Sequence, residues 1–189
     1  MNEVIYQLTE RNSSPRLTEP GPDKVTLDYM LQAALRAPDH AWLTPWRFIQ
    51  VEGEARNALG EVFAEALLRR DPDADAAALA KARSAPLRAP LLMVVVCRYT
   101  EHPKVPEHEQ RLSAGCAAYS MLLAAEAQGY AGIWRTGANA EDPQVATALG
   151  LESNESIVAF LYFGSRDGRA KPLPERQPGD FLSHWSGLN

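Results

Sequence analysis

The 189-residue sequence carries only two cysteines, Cys97 and Cys116, too few for the disulfide framework that staples small secreted folds. Cys97 ends the apolar run that starts at Leu91, and Cys116 sits in an alanine-rich stretch, so both read as small buried hydrophobes and not as a pair. No apolar run approaches the roughly 18 residues of a membrane span. Met1–Gln7 lacks the basic and apolar regions of a secretion signal. A cytoplasmic protein with no membrane partner is expected. Positive charge is also in deficit: 19 Lys and Arg against 24 Asp and Glu leave a net charge of -5, the wrong balance for gripping a phosphate backbone. Nucleic acid is therefore not an expected partner. No strand leads into a Gly-x-Gly-x-x-Gly turn or a Walker sequence, which weakens any Rossmann or P-loop reading. Metal sites fail in the same way. Asp71, Asp73 and Asp75 begin like a calcium loop, but its sixth and twelfth positions are Ala76 and Ala82. Cys97, His102 and His108 show no zinc-ligand spacing, so no metal is expected.

What is present describes one globular domain over residues 1–189: 46% hydrophobic and 23% charged residues, enough to bury a core without staples. Val4, Ile5 and Leu8 mark a short amphipathic helix. Leu27, Met30, Leu31, Ala34 and Leu35 recur at helical spacing, with Thr26 as N-cap and Pro38 closing the segment. Leu59 to Leu67 and Ala76 to Arg83 predict two further helices. Leu91 to Cys97 reads as a central strand covered on both faces. Glu107 to Gly129 predicts the longest helix, with Leu112, Cys116, Tyr119, Leu122, Leu123 and Ala127 as its apolar face and small residues permitting close packing. Ala131 to Arg135 and Ile157 to Phe163 read as strands, with a short helix after Asp142-Pro143 between them. From Arg166 to Asn189 the chain is rich in Pro and Gly and reads as an extended arm laid over a surface.

Three segments carry donor chemistry. In Arg11-Asn12-Ser13-Ser14-Pro15-Arg16, two guanidiniums and a hydroxyl lie within six residues. Taken alone they read either as a phosphate cradle or as a solvated helix end favoured by the dipole. In Arg36-Ala37-Pro38-Asp39-His40, followed by Pro45-Trp46-Arg47-Phe48, Arg36 and His40 read as a buried pair that wants an anionic or polar ligand. They also read as a helix-terminal arginine beside a capping or core histidine. Gly132-Ile133-Trp134-Arg135-Thr136-Gly137 leaves a strand for a loop, where backbone groups can meet a ligand; Trp134 is core filler, ligand contact, or both.

Together, and in this order, the three segments resemble the nitroreductase family of FMN-dependent oxidoreductases, in particular its minimal, short-chain branch. The resemblance runs from Arg11 to about Gly164. It implies an α+β nitroreductase-type fold, with a central, mostly antiparallel sheet flanked by helices and a C-terminal arm over residues 166–189 that embraces a partner. It also implies a homodimer with FMN at the subunit interface. Arg11 and Ser13 would hold the phosphate and ribityl chain, with Asn12, in place of the family's second Arg, offering a neutral hydrogen bond. Arg36 and His40 would contact the ribityl or ring side, and Trp134, Arg135 and Thr136 the ring edge, Arg135 tuning the potential. Trp42 and Thr44 stand where much of the family has Asn and Gln, leaving Trp42 to stack near the flavin or fill the loop. Lys171 is positioned to reach a phosphate. The implied activity is ping-pong transfer of a hydride from NAD(P)H to FMN and on to a nitroaromatic, quinone or related acceptor, with no catalytic side chain. Ala125 to Tyr130 matches a helix end sometimes assigned to the nicotinamide nucleotide. A specialised flavin enzyme of the same fold and a non-catalytic flavin-binding protein are the alternatives.

Overall fold

Seven consecutive fully buried residues, Leu91 to Cys97, can be satisfied only in the middle of a sheet covered on both faces, and that is where they lie. In the computed structural model, which describes residues 2–187, this segment is β3 (Leu91–Arg98), flanked by β2 (Trp46–Glu52) and β5 (Glu155–Arg166). Along its other edge β5 pairs with β4 (Ala131–Arg135) and, at its end, with β1 (Leu17–Thr18). Every pairing is antiparallel, so the sheet runs β1-β5-β3-β2 with β4 beside β5. This is the α+β architecture expected, although β2 escaped the sequence reading. Arg47, Gln50 and Glu52 interrupt its apolar pattern, which an edge strand tolerates because it is covered on fewer sides.

Strand alternation divides the core in two. Met93, Val95, Ala159, Leu161 and Phe163 face α2 (Lys24–Ala34) and α5 (Glu107–Ala127). Leu92, Val94, Val96, Phe160 and Tyr162 face α3 (Ala55–Arg70), α4 (Ala76–Ser84) and α6 (Pro143–Ala148). On that second face Phe63 meets Phe160 edge-on, with ring centroids 5.4 Å apart. Helix α2 starts two residues before the expected cap: Asp23 is the N-cap, its carboxylate accepting the Thr26 N–H at 2.8 Å. Helix α1 (Glu3–Glu10) buries no residue within its own chain.

The largest departure concerns α5. Its buried face is the small one, Ala114, Ala117, Ala118, Met121, Leu122 and Ala125, while Leu112 is 67% exposed and Cys116 and Tyr119 also face outward. Of the face expected to be buried, Leu122 is buried and Leu123 half-buried, whereas Leu112, Cys116, Tyr119 and Ala127 are exposed. Four alanines on the buried face let the helix lie close to the sheet, with Met121 and Leu122 filling the space that remains. A Cβ at Gly132 on β4 would stand 2.8 Å from Leu122 Cδ2 and 3.0 Å from Phe163.

A second close approach joins α3 to α4. A Cβ at Gly60 would lie 2.2 Å from the Arg83 carbonyl oxygen, a backbone atom that cannot swing aside. Gly60→Ala is therefore expected to cost about 1–3 kcal/mol by forcing the helices apart, a fall in Tm of roughly 3–10 °C. A thermal melt indistinguishable from the parent would show that the hairpin adapts freely.

Candidate functional site

The first donor segment follows α1 directly. The Ser14 N–H donates to the Gly132 carbonyl at 3.0 Å, docking the loop onto the start of β4. Arg166 Nη2, at the end of β5, donates to the Asn12 carbonyl at 3.3 Å, and the Asn12 amide donates to the Lys171 carbonyl in the arm. The expected arm thus touches the expected loop, through the Lys171 backbone. Arg11 Nη1 lies 3.4 Å from Ser13 Oγ, which it reaches as donor. Among the described residues Arg11 has no carboxylate at ion-pair distance. Glu126, in the last turn of α5, feels its charge. Burial pushes the Glu126 carboxyl above its ordinary range, opposed by Arg11, the Asn12 N–H and Arg166. Its Oε1 is buried without a hydrogen-bond partner. The segment is thus a tethered, half-buried loop with a free guanidinium and an adjacent hydroxyl.

Arg36 and His40 do not form a buried pair. Helix α2 ends at Ala34 and the chain turns outward, leaving both exposed. Arg36 lines an apolar groove of about 390 Å³ with Val4 and Leu8 of α1 and Ser120, Leu123 and Ala124 of α5. His40 Nδ1 is 3.0 Å from Glu109 Oε2, with the imidazole 56% exposed. The loop beyond is strained: Ala41, Trp42 and Thr44 adopt φ of 63°, 55° and 47°, a left-handed conformation costly for residues other than glycine. Asp39 secures the turn by accepting the Thr44 N–H at 2.7 Å. Trp42 is 82% exposed, so it does not fill its own loop.

The third segment splits across β4. Trp134 faces α5, where a Cβ on Gly115 would meet its ring at 3.8 Å. Arg135 lies on the opposite face near Tyr162, and its Nε is buried without a partner. Burial holds the Tyr162 phenol above its ordinary pKa, opposed by Arg88 and Arg135. Thr136 and Gly137 line a cleft of about 590 Å³ against α3, α4 and the short 3-10 turn Ala85–Arg88. Its wall is Phe63, Leu67, Ala78, Ala82 and Ala85, and its cations are Arg70, Lys81 and Arg88. Arg70 is occupied by Asp142 and by Asn139 Oδ1 at 2.8 Å. Lys81 and Arg88 have no ion-pair partner among the described residues. Neither was a candidate from sequence, since only the α3–α4 hairpin brings them beside Thr136.

Segments one and three therefore meet through β4, with one residue, Ile133, between the Gly132 anchor and Trp134. Segment two stands apart, and the groove that Arg36 lines contains no residue of the other two.

The sequence profile of the Nitroreductase family matches residues 8–165. The chain is 45% identical over 184 residues to the Escherichia coli (strain K12) protein named "Putative NAD(P)H nitroreductase YdjA", covering 97% of this chain and all of that one. Its fold matches the crystal structure of a nitroreductase-like family protein from Bacillus cereus with a TM-score of 0.84 at 21% identity, over 99% of this chain and 98% of that one. It also matches a nitroreductase with bound FMN from Bacteroides fragilis, with a TM-score of 0.75 at 21% identity, over 98% and 100% of the two chains. With a profile that spans most of its length and a close full-length relative, this chain belongs to the nitroreductase family.

Proposed function

We propose that the protein is a cytoplasmic, FMN-dependent NAD(P)H oxidoreductase that acts as a homodimer on small acceptors such as nitroaromatics and quinones. The observation that carries this reading is the Arg11–Ser13 loop: a free guanidinium and a hydroxyl, tethered to β4 at Gly132, beside no ion-paired acid. This donor set suits a phosphate monoester, and the same strand leads to the cleft at Thr136, so one elongated cofactor can run along β4 from phosphate to ring. When bound, FMN supplies the redox chemistry, accepting a hydride from NAD(P)H and returning two electrons to the acceptor. The chain's own task is positioning. Arg11, Asn12 and Ser13 hold the phosphate and ribityl end, and Trp134, Arg135 and Thr136 present backbone to the ring edge.

Dimerisation accounts for what the single chain leaves open. Val4, Ile5 and Leu8 on α1 and Leu112 and Tyr119 on α5 are exposed apolar side chains without cover. A second copy would bury them, and it would bring its own Arg36 and His40 to the cofactor across the interface. That explains why these two stand apart from the other segments in one chain.

The test is an anaerobic visible spectrum of the FMN-supplemented protein before and after NADH or NADPH. Bound flavin absorbance that bleaches with a nucleotide is expected. A protein that retains no flavin would sink the site, and retention without bleaching would indicate a specialised or non-catalytic flavoprotein instead.

A further inference from the structure

We infer that Arg88, assisted by Lys81, is the positive charge that faces the polar edge of the flavin ring. The inference rests on the cofactor reading above and assigns a role that the sequence pattern had given to Arg135.

Three observations carry it. The cleft lined by Thr136 and Gly137 is the place where that loop can meet a ring, and it offers about 590 Å³ with an apolar wall of Phe63, Leu67, Ala78, Ala82 and Ala85. A flat heterocycle with one polar edge fits such a wall. Next, the cleft is cationic without compensation: Arg70, Lys81 and Arg88 line it and no carboxylate does. Arg70 is held by Asp142 and Asn139. Arg88 is half-buried and unpaired, an arrangement that disfavours the empty cleft and favours an incoming negative charge. Lastly, Arg135 is not among the residues that line the cleft. It lies on the same face of β4 as the cleft, and both it and Arg88 act on Tyr162, but its Nε is buried and only Arg88 opens into the cleft.

The chemistry fits the charge. A hydride brings two electrons and one proton to the ring, so the reduced ring gains a negative charge on its pyrimidine side unless a second proton follows. A fixed guanidinium beside that edge stabilises the reduced form over the oxidised one, which raises the potential. Arg88 acts here as an electrostatic positioning residue, and no bond to it forms or breaks.

The test uses FMN-loaded protein and needs no turnover. Midpoint potentials and affinities for sulfite are measured for the parent, Arg88→Met, Arg88→Lys, Lys81→Met and Arg135→Met. Sulfite donates its lone pair to flavin N5 and leaves the same negative charge on the ring, so its affinity reports the same field. Arg88→Met should weaken sulfite binding about tenfold and lower the potential by about 30 mV, the equivalent of a tenfold change for a two-electron couple. Arg88→Lys should recover most of both, and Lys81→Met should shift both by less. Unchanged values in Arg88→Met would overturn the inference, as would a larger shift from Arg135→Met than from Arg88→Met. If Arg88→Met fails to fold, Arg88→Gln takes its place, and unchanged values in that variant would overturn the inference. A parent protein that binds no flavin would overturn the cofactor reading itself, which is a different result.

Discussion

Arg11→Ala is expected to weaken FMN binding by roughly 10–150-fold, the equivalent of the 1.5–3 kcal/mol that a hydrogen bond to a charged group contributes. The reasoning starts from the loop. Ser14 fixes its backbone to Gly132, and Arg166 and Lys171 hold Asn12, so the loop keeps its shape without the Arg11 side chain. What disappears is a planar fork of donors that already lies beside Ser13 Oγ. Arg11→Lys should fall between, since an ammonium keeps the charge and loses the fork. Riboflavin, which lacks the phosphate, supplies the control: its affinity should be the same in parent and variant. Equal FMN affinity in Arg11→Ala, or a parallel loss for riboflavin, would remove the phosphate from this loop. A side effect is also expected. Arg11 is the leading charge that opposes the burial-driven rise of the Glu126 pKa, so in Arg11→Ala that carboxyl should hold its proton still more tightly.

Glu155→Gln is expected to destabilise the fold by about 3 kcal/mol at neutral pH, a fall in Tm of roughly 6–12 °C. The Glu155 side chain is fully enclosed. It accepts from Arg47 Nε at 2.7 Å and Nη2 at 2.6 Å, from Arg98 Nε at 3.1 Å and from the Glu152 N–H at 3.0 Å. These donors, the Arg47 fork first, hold its pKa at about 2 against an ordinary 4.5. A carboxyl depressed in the folded state contributes its stability in full above about pH 4.5 and loses it as pH falls towards 2. The Gln variant lacks this term at every pH, so its deficit should be largest near neutrality and shrink through that acid window. Chemical denaturation at a series of pH values reads the difference. A deficit that stays constant down to pH 2 would mean that packing, not charge, is what the variant loses. The cluster joins β2, β3 and the start of β5, away from the Arg11 loop, and FMN affinity should not follow the change.

The contrast between these two sites shows what could be read from the chain. Leu91 to Cys97 and Ile157 to Phe163 announced themselves because a doubly covered strand must be apolar at every position. Ala131 to Arg135 was legible as a strand as well, though its place beside Ile157 to Phe163 came only with the structure. Trp46 to Glu52 carried a weaker signal, since its Arg47 serves the Glu155 cluster and breaks the pattern. Helix α5 misled for a different reason. It is apolar on two sides, and a hydrophobic scale favours the side with Leu112 and Tyr119, whereas the sheet selects the side with alanines. Of the candidate site, the Arg11 loop and the segment ending at Thr136 stand out as motifs because their residues are contiguous in sequence. The exposure of Arg36 and His40 was not legible, because it depends on whether the chain past Ala34 turns in or out. Lys81 and Arg88 belong to no sequence motif; the close packing of Gly60 against Arg83 is what brings α4 back towards the loop after β4.

On the proposed cofactor reading, the tie between Asn12 and Lys171 links the age of the molecule to its loading. From Asp167 to Gly187 every residue is exposed in the single chain, so wherever a second copy leaves this stretch uncovered a protease meets it before it meets any strand. A cut ahead of Lys171 leaves the folded body intact but releases one of the tethers on the loop. Clipped molecules are therefore expected to shed flavin first and unfold later, accumulating as a folded, colourless population.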